Sequence, residues 1–280
     1  MLMALMALVA PTAATASAAT GVGAAAVQRY VALGDSYASG AGVPKQVHLT
    51  CLRSNRNYPS LVAAEISPGA VRDVTCGGAT TAAMTKSHLF QYPQFNALTA
   101  DTDLVTLGIG GNDIDFIEIV IRCTTLAVIN PTGSPCKNSY TSGGTDQLAE
   151  TIAETAPLIA ATLDGIRQRA PQARVLLVGY PSIVPDDGSR CRPYGLLADG
   201  DIPYLRDTTK LLNGMLRAQA LAHGAEYVDT YTPSIGHDAC QPAADRWVEP
   251  LIPAAPAAPF HPNAAGEAGM AEAVLAALAG

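Results

Sequence analysis

The sequence predicts an α/β protein built on a parallel sheet covered by helices on both faces. Two observations carry this reading. Short runs of strand length and β-branched content alternate with longer helical patterns from residue 29 to the C-terminus. The first and third of these runs also end in glycine-rich turns, as expected where a buried strand feeds a loop. The predicted strands are Arg29–Asp35, Ala70–Val74, Asp103–Ile109, Ala173–Gly179 and Ala225–Asp229. Helical patterns occupy Tyr58–Ile66, Gln147–Ala170, Tyr204–His223 and Ala264–Leu278. Strand–helix alternation of this kind favours parallel pairing, and ligands in such sheets sit at the carboxyl ends of the strands. Two segments break the alternation and read as long surface loops. One is Asn130–Gly144, rich in Pro, Gly, Ser and Thr; the other is Ala239–Pro262, with six prolines from Pro242 onward.

At about 150 residues per domain, 280 residues lie between one large domain and two small ones. With no internal repeat and no linker to divide the chain, residues 20–280 read as a single domain. Apolar residues at 49% and charged residues at 15% exclude a disordered chain. A net charge of −7 without any Lys/Arg run argues against nucleic acid as a partner. Residues 1–19 carry no charge and pass from an apolar decamer through Pro11 to a small-residue stretch containing Ala16-Ser17-Ala18. This is the pattern of a signal peptide and predicts a secreted protein. The first basic residue is Arg29, so the basic n-region of a leader is missing; a late start codon or an uncleaved apolar tail are the alternatives.

Six cysteines, Cys51, Cys76, Cys123, Cys136, Cys191 and Cys240, suit a disulfide framework in an exported chain. Fifteen pairings exist. Sequential pairing is preferred because it closes compact local loops, each bridge contributing about 2–4 kcal/mol. There is no C-x-x-C and no H-x-x-x-H, and no metal or other cofactor is expected.

Three short motifs carry candidate chemistry. Gly34-Asp35-Ser36-Tyr37 follows the first strand and would place a hydroxyl at the carboxyl end of the sheet. A serine there is a nucleophile only with a base beside it, and Gly-Asp-Ser is also ordinary turn chemistry. Gly110-Gly111-Asn112-Asp113 follows the third strand; its Asn amide is a candidate oxyanion donor, or the tetrapeptide is a plain turn. His261, in Phe260-His261-Pro262-Asn263, precedes the last helix, with Asn263 as its N-cap. It is available as a base, although a loop histidine is more often a solvated surface residue. Asp35 reads as a turn-stabilising side chain and Asp113 as the cap of a helix starting near Ile114.

Taken together these residues resemble the SGNH hydrolases, the GDSL-type lipases and esterases. The four signature residues of that family match Ser36, Gly78 in Cys76-Gly77-Gly78-Ala79-Thr80, Asn112 and His261, in family order. The likeness is closest to secreted actinobacterial lipases and esterases with three sequential disulfides. It implies a flavodoxin-like three-layer sandwich with a five-stranded parallel sheet, the SGNH hydrolase fold. It also implies Ser36 as nucleophile, His261 as general base and then acid, and an oxyanion hole from the Ser36 and Gly78 N–H groups and the Asn112 amide. One position departs from the pattern. Many relatives carry an aspartate three residues before the histidine, and here that residue is Ala258. The expectation is a Ser–His dyad in which the backbone carbonyl of Ala258, or of a neighbour, orients the imidazole. The rival is a distant acid, Asp238, Asp245 or Glu249.

The expected substrate is a small-molecule or lipid ester, with transient contact at a lipid interface, and the default oligomeric state is a monomer. Leu89-Phe90, Ile114–Ile121 and Ala254–Phe260 are candidate linings of an acyl pocket, or simply core. Phospholipids and sugar acetates are substrates that the same machinery serves. A reading of another class, a secreted binding protein without turnover, predicts no labelling by a serine-reactive phosphonate. Neither G-x-G-x-x-G nor a P-loop follows any strand, so nucleotide binding is discarded.

Overall fold

Residues 27–191 and 196–280 are described by the computed structural model; the expected leader lies outside them. In chain order the elements are β1 (Arg29–Gly34), α1 (Ser36–Ser39), β2 (Gln46–His48), β3 (Arg53–Ser54), α2 (Tyr58–Ile66), β4 (Ala70–Asp73) and β5 (Leu104–Gly108). There follow α3 (Phe116–Ile129), α4 (Pro135–Thr141), α5 (Gln147–Arg169), β6 (Arg174–Val178), α6 (Ile202–Ala222), β7 (Glu226–Val228) and α7 (Ala264–Ala279). Five strands pair in the order β4-β1-β5-β6-β7, all parallel, while β2 and β3 form a small antiparallel ribbon. This is the flavodoxin-like sheet.

Strand periodicity explains the two cores. Successive residues of a strand face opposite sides of the sheet. On one side Val31, Leu33, Val105, Leu107, Val175 and Leu177 meet Ile159 and Leu163 of α5 and Leu212 and Leu216 of α6. On the other, Tyr30, Ala32, Leu104, Leu176 and Val178 meet Tyr58 and Val62 of α2 and Met270 and Val274 of α7. Both faces are therefore dry, which is why these strands read as continuous apolar runs.

The order places a topological switch point between β1 and β5, whose register pairs Gly34 with Gly108. Loops leaving these neighbouring strands diverge to opposite faces and open a crevice. Gly34 makes the close approach work: at φ 149°, a Cβ there would stand 2.5 Å from the Gly108 carbonyl oxygen. The same carbonyl accepts the Asp35 N–H at 2.9 Å. Buried Gln94 satisfies the Gly34 amide and carbonyl, both at 2.8 Å.

Two expectations are corrected. Asn130–Gly144 is not all loop, because Pro135 at the first turn starts α4, and Cys136 anchors it to Cys123 of α3. Asp113 does not cap α3; Asp115 holds the N-cap position, in the left-handed region at φ 57°. The disulfides join Cys51 to Cys76, Cys123 to Cys136 and Cys191 to Cys240, the sequential pairing.

Glu267, fully buried in the first turn of α7, accepts the Tyr58 N–H of α2 at 2.6 Å and so ties the two helices of one layer. Burial pushes its carboxyl well above the usual 4.5, and the Tyr58 bond only partly opposes this. Above the unfolded-state value the unfolded chain ionises while the folded one keeps its proton, so Glu267 withdraws stability as pH rises. Glu267→Gln is expected to raise Tm at pH 7, with the gain vanishing near pH 4; an equal Tm difference at both would contradict the buried neutral carboxyl.

Candidate active site

Asp35 is the N-cap of α1, its side chain accepting the Tyr37 N–H at 2.9 Å, and this cap sets Ser36 at the start of the helix beyond β1. His261 arrives from the opposite end of the chain. Residues 247–249 run antiparallel to 260–263: the Glu249 N–H donates to the His261 carbonyl at 3.0 Å, Phe260 N–H to the Glu249 carbonyl at 2.9 Å, and Asn263 N–H to the Trp247 carbonyl at 2.8 Å. The Ala258 N–H donates to the Ala41 carbonyl at 2.8 Å, so the histidine loop is fastened to the segment behind Ser36.

These ties bring Ser36 Oγ to 2.7 Å from His261 Nε2 across 225 positions of sequence. Nδ1 of the same ring lies 2.7 Å from the Pro259 carbonyl oxygen. A carbonyl only accepts, so Nδ1 carries the proton and Nε2 is left as the acceptor for the serine hydroxyl. Burial lowers the His261 pKa from 6.5 and so favours the neutral imidazole, while the Pro259 bond acts in the opposite direction.

The orienting carbonyl is one residue later than Ala258. The Ala258 carbonyl is occupied by the His261 backbone N–H at 3.1 Å, and Phe260 turns through the left-handed region at φ 55°, which aims the Pro259 carbonyl back at the ring. Tyr37 supports that turn. Its hydroxyl donates to the Phe260 carbonyl at 2.6 Å and its ring lies 4.8 Å from the imidazole, centroid to centroid.

None of the three candidate acids bonds His261. Asp238 accepts from Cys240 N–H and the Gln241 amide, both at 2.9 Å. Asp245 contributes its backbone carbonyl to His237 Nδ1. Glu249 accepts from Asn263 Nδ2 at 2.8 Å and from the N–H groups of Ala254 and Ala255. Burial works against its ionisation, but these bonds and Arg246 hold the carboxyl below 4.5, as a brace for the histidine loop.

The donor side is assembled from two further loops. Gly78, at φ 75°, follows the Cys51–Cys76 bridge, and the Gly77 N–H donates to the Cys51 carbonyl at 2.8 Å. Asn112 Nδ2 donates to the Ala79 carbonyl at 2.9 Å, which uses one of its two amide hydrogens. Asp113 accepts the Thr81 N–H and, at 2.5 Å, the Thr81 hydroxyl. Neighbouring side chains 112 and 113 thus fasten the glycine loop to the turn after β5. His88 adds a tether, donating from Nε2 to the Gly77 carbonyl at 3.0 Å.

Sequence reasoning missed Tyr180, two residues beyond β6. Its hydroxyl accepts the Gly111 N–H at 2.8 Å and donates to Asp35 Oδ2 at 2.5 Å, so it bridges the turns that carry Ser36 and Asn112. Burial raises the Asp35 pKa to about 7, with the Tyr180 and Tyr37 bonds opposing it. No motif flags a tyrosine 145 positions from its partner.

Two apolar clefts open at Ser36 and Asn112. One lies between α3 and α6 and is lined by Ile114, Phe116, Ile119, Ile183, Leu205 and Leu212. The other, about 870 Å³, is more open and has His261, Pro259 and Phe260 on one wall. Of the expected pocket linings, Ile114–Ile121 contributes to both clefts and Ala258–Phe260 to the second. Leu89 and Phe90 line neither and lie exposed.

A flavodoxin-like sheet with a serine, a histidine and amide donors gathered at its switch point defines a class, the serine hydrolases of the SGNH type. Comparison with known proteins places the chain within it. Residues 32–268 match the GDSL-like lipase/acylhydrolase family, and the protein belongs to that family. It is 44% identical to Lipase 2 of Streptomyces coelicolor over 232 residues, 80% of this chain and 76% of the relative. Its structure superposes on phospholipase A1 from Streptomyces albidoflavus with a TM-score of 0.75 at 29% identity, covering 90% of this chain and 99% of that one. The extracellular lipase of Streptomyces rimosus gives a TM-score of 0.72 at 26% identity, covering 90% of this chain and all of the other. The protein is accordingly a lipase/esterase-type enzyme.

Tyr37→Phe removes the hydroxyl that fixes the Phe260 turn and leaves a buried carbonyl unpaired. The expected result is a fall of about tenfold in kcat with KM within about twofold, because misplacing a catalytic group costs rate more than binding. An unchanged kcat would show that the turn holds itself.

Proposed function

We propose that this protein is a secreted ester hydrolase that cleaves carboxylic acyl esters through an acyl-serine intermediate, with a Ser36–His261 dyad oriented by a backbone carbonyl. The observation that carries the reading is the pair of 2.7 Å contacts on one imidazole, Nε2 with Ser36 Oγ and Nδ1 with the Pro259 carbonyl. Ser36 Oγ attacks the ester carbonyl carbon as its proton passes to Nε2. The oxyanion is received by the Ser36 and Gly78 N–H groups and the second hydrogen of the Asn112 amide. The carbon–oxygen bond to the alcohol then breaks, and His261 returns the proton to the departing oxygen. Water, deprotonated by the same Nε2, attacks the acyl carbon, and collapse releases the acid and restores the Ser36 hydroxyl.

The Pro259 carbonyl supplies a dipole where a triad supplies a full negative charge. It keeps the tautomer and orientation while stabilising the imidazolium less. Export is supported by the leader-like residues 1–19 and by three disulfides. The likeness to a phospholipase A1 favours phospholipid acyl esters as a second substrate class for the same machinery.

The test is hydrolysis of p-nitrophenyl esters from acetate to palmitate by the oxidised protein. Activity is expected to disappear in Ser36→Ala, and activity retained there would reject the nucleophile. Asp238→Asn and Asp245→Ala are each expected to keep kcat within about threefold, and Glu249→Gln, which loosens the brace of the histidine loop, to lose about as much as Tyr37→Phe; a loss near 10⁴ in any of them, as when a triad acid is replaced, would reject the dyad. Because burial favours neutral His261, the acidic limb of kcat/KM is expected below pH 6.5. A midpoint above that value would contradict the buried base.

A further inference from the structure

A short hairpin beside the glycine loop holds its backbone under strain and shows two apolar side chains to water. His88 and Gln91 exchange both backbone hydrogen bonds, at 3.0 and 2.8 Å, and Leu89 and Phe90 between them lie at φ 47° and 63°. Positive φ at both central residues marks a type I′ turn, where Asn-Gly is the favoured pair and bulky side chains are strained. Leu89 is 46% exposed and Phe90 fully exposed, so burial of the phenyl ring offsets none of that strain. The turn is nonetheless firmly held. His88 Nε2 donates to the Gly77 carbonyl at 3.0 Å and Gln91 Nε2 to the Val74 carbonyl at 2.6 Å. A strained, anchored turn that exposes a phenyl ring points to contact with something outside the chain.

The surroundings of the hairpin fit one kind of partner. Leu52, at the tip of the β2–β3 ribbon, flanks the same glycine loop: a Cβ on Gly77 would stand 3.6 Å from Leu52 Cδ1, and one on Gly78 3.6 Å from His88 Nε2. Val47, Leu49 and Tyr92, on these two segments, are exposed as well. Leu52, Gly77 and Gly78 border the more open cleft, so this apolar surface adjoins the mouth of the site. Charge is distributed to match. The chain carries −7, yet residues 36–64 and 74–100 contain no Asp or Glu. Lys45, Arg56 and Lys86 lie exposed on these segments, and among the described residues none of them pairs with a carboxylate. Cations without acids around exposed apolar side chains complement a surface that is anionic outside and apolar within.

We propose that this face docks on an anionic phospholipid bilayer, with Leu89 and Phe90 entering the interface as a wedge while lipid phosphates attract Lys45, Arg56 and Lys86. This docking rests on the ester hydrolase reading above for its purpose and adds the physical form in which the substrate is met. Because the hairpin stands on the glycine loop, seating the wedge brings the mouth of the site against the bilayer. A soluble ester has no use for such a wedge; a lipid held in a membrane does.

The test is co-sedimentation of the oxidised Ser36→Ala protein, which leaves the lipid intact, with vesicles of phosphatidylcholine alone or mixed with about one-third phosphatidylglycerol. Binding to the anionic vesicles is expected to be about tenfold tighter or more, an advantage lost in about 1 M NaCl, where charges are screened within about 3 Å. Lys45→Glu with Lys86→Glu is expected to remove most of that selectivity. Leu89→Asn with Phe90→Gly, which gives the turn its favoured pair, is expected to weaken binding about tenfold on both vesicles while raising Tm. With Ser36 intact, the same pair of changes is expected to keep kcat/KM on soluble p-nitrophenyl butyrate within about twofold, since neither residue lines a cleft. Equal binding to the two vesicles, or binding unchanged in the turn variant, overturns the docking surface and leaves the esterase standing. A dimer that dissociates in the turn variant while vesicles stay unbound also overturns it, assigning the face to a second copy of the chain. Loss of butyrate hydrolysis in the turn variant overturns it too, because the hairpin would then serve the glycine loop. Wild-type protein that binds anionic vesicles but hydrolyses no ester supports the docking surface and overturns the esterase reading.

Discussion

The arrangement of the site depends on what the protein places behind one imidazole. A buried histidine that must present Nε2 as an acceptor needs its Nδ1 proton fixed from behind, and here the partner is the Pro259 carbonyl at 2.7 Å. A carbonyl has no titratable charge of its own, so the neutral imidazole is held in this tautomer wherever His261 is unprotonated. The cost is directional: a peptide carbonyl points where the backbone points, and the backbone must be held. Much of the surrounding architecture serves that requirement. Phe260 sits in a left-handed conformation that a bulky residue rarely adopts, with its ring buried. The Tyr37 hydroxyl, the Glu249 carboxylate and the antiparallel pairing to 247–249 hold the loop around it.

The sheet supplies the convergence. β1 and β5 lie side by side at the switch point, so the turns carrying Ser36 and Asn112 are neighbours before any side chain acts. Side chains then lock the loops to one another: Tyr180 joins the two turns, Asn112 and Asp113 grip the glycine loop, and the Cys51–Cys76 bridge anchors it from below. The loops carrying Ser36, Gly78 and Asn112 are thereby fixed relative to one another, the condition that the oxyanion hole proposed above requires.

The central strands β1, β5 and β6 were legible in the sequence because burial on both faces writes apolar runs, whereas the more exposed edge strands β4 and β7 and the four helices α2, α5, α6 and α7 were legible from their length and their alternation along the chain. β2 and β3 were not, being three and two residues long with mixed burial. The full extent of α3 was obscured because apolar residues such as Ile117, Ile121 and Val128 stand among the polar ones on its exposed side, which dilutes the polar face that marks an amphipathic helix. α4 was hidden by a composition rich in turn formers and depends on a disulfide. Within the site, Ser36, Gly78, Asn112 and His261 stood in motifs, and the structure gathers all four. Pro259 in place of Ala258 was beyond sequence, since any backbone carbonyl serves and the left-handed turn at Phe260 decides which one does. Asp113 reads locally as a helix cap, yet its hydrogen bonds go to Thr81, 32 positions away. Tyr180 and Tyr37 act through contacts between distant segments that leave no local pattern.

The most direct measurement is labelling of the native, oxidised protein with a p-nitrophenyl alkylphosphonate, with the adduct mapped by mass spectrometry and its rate followed by nitrophenolate release. Ser36 activated by His261 should give a single adduct on Ser36, formed at least about a hundredfold more slowly in His261→Ala. A protein that stays unlabelled, or one labelled elsewhere or at a rate indifferent to His261, would contradict the account.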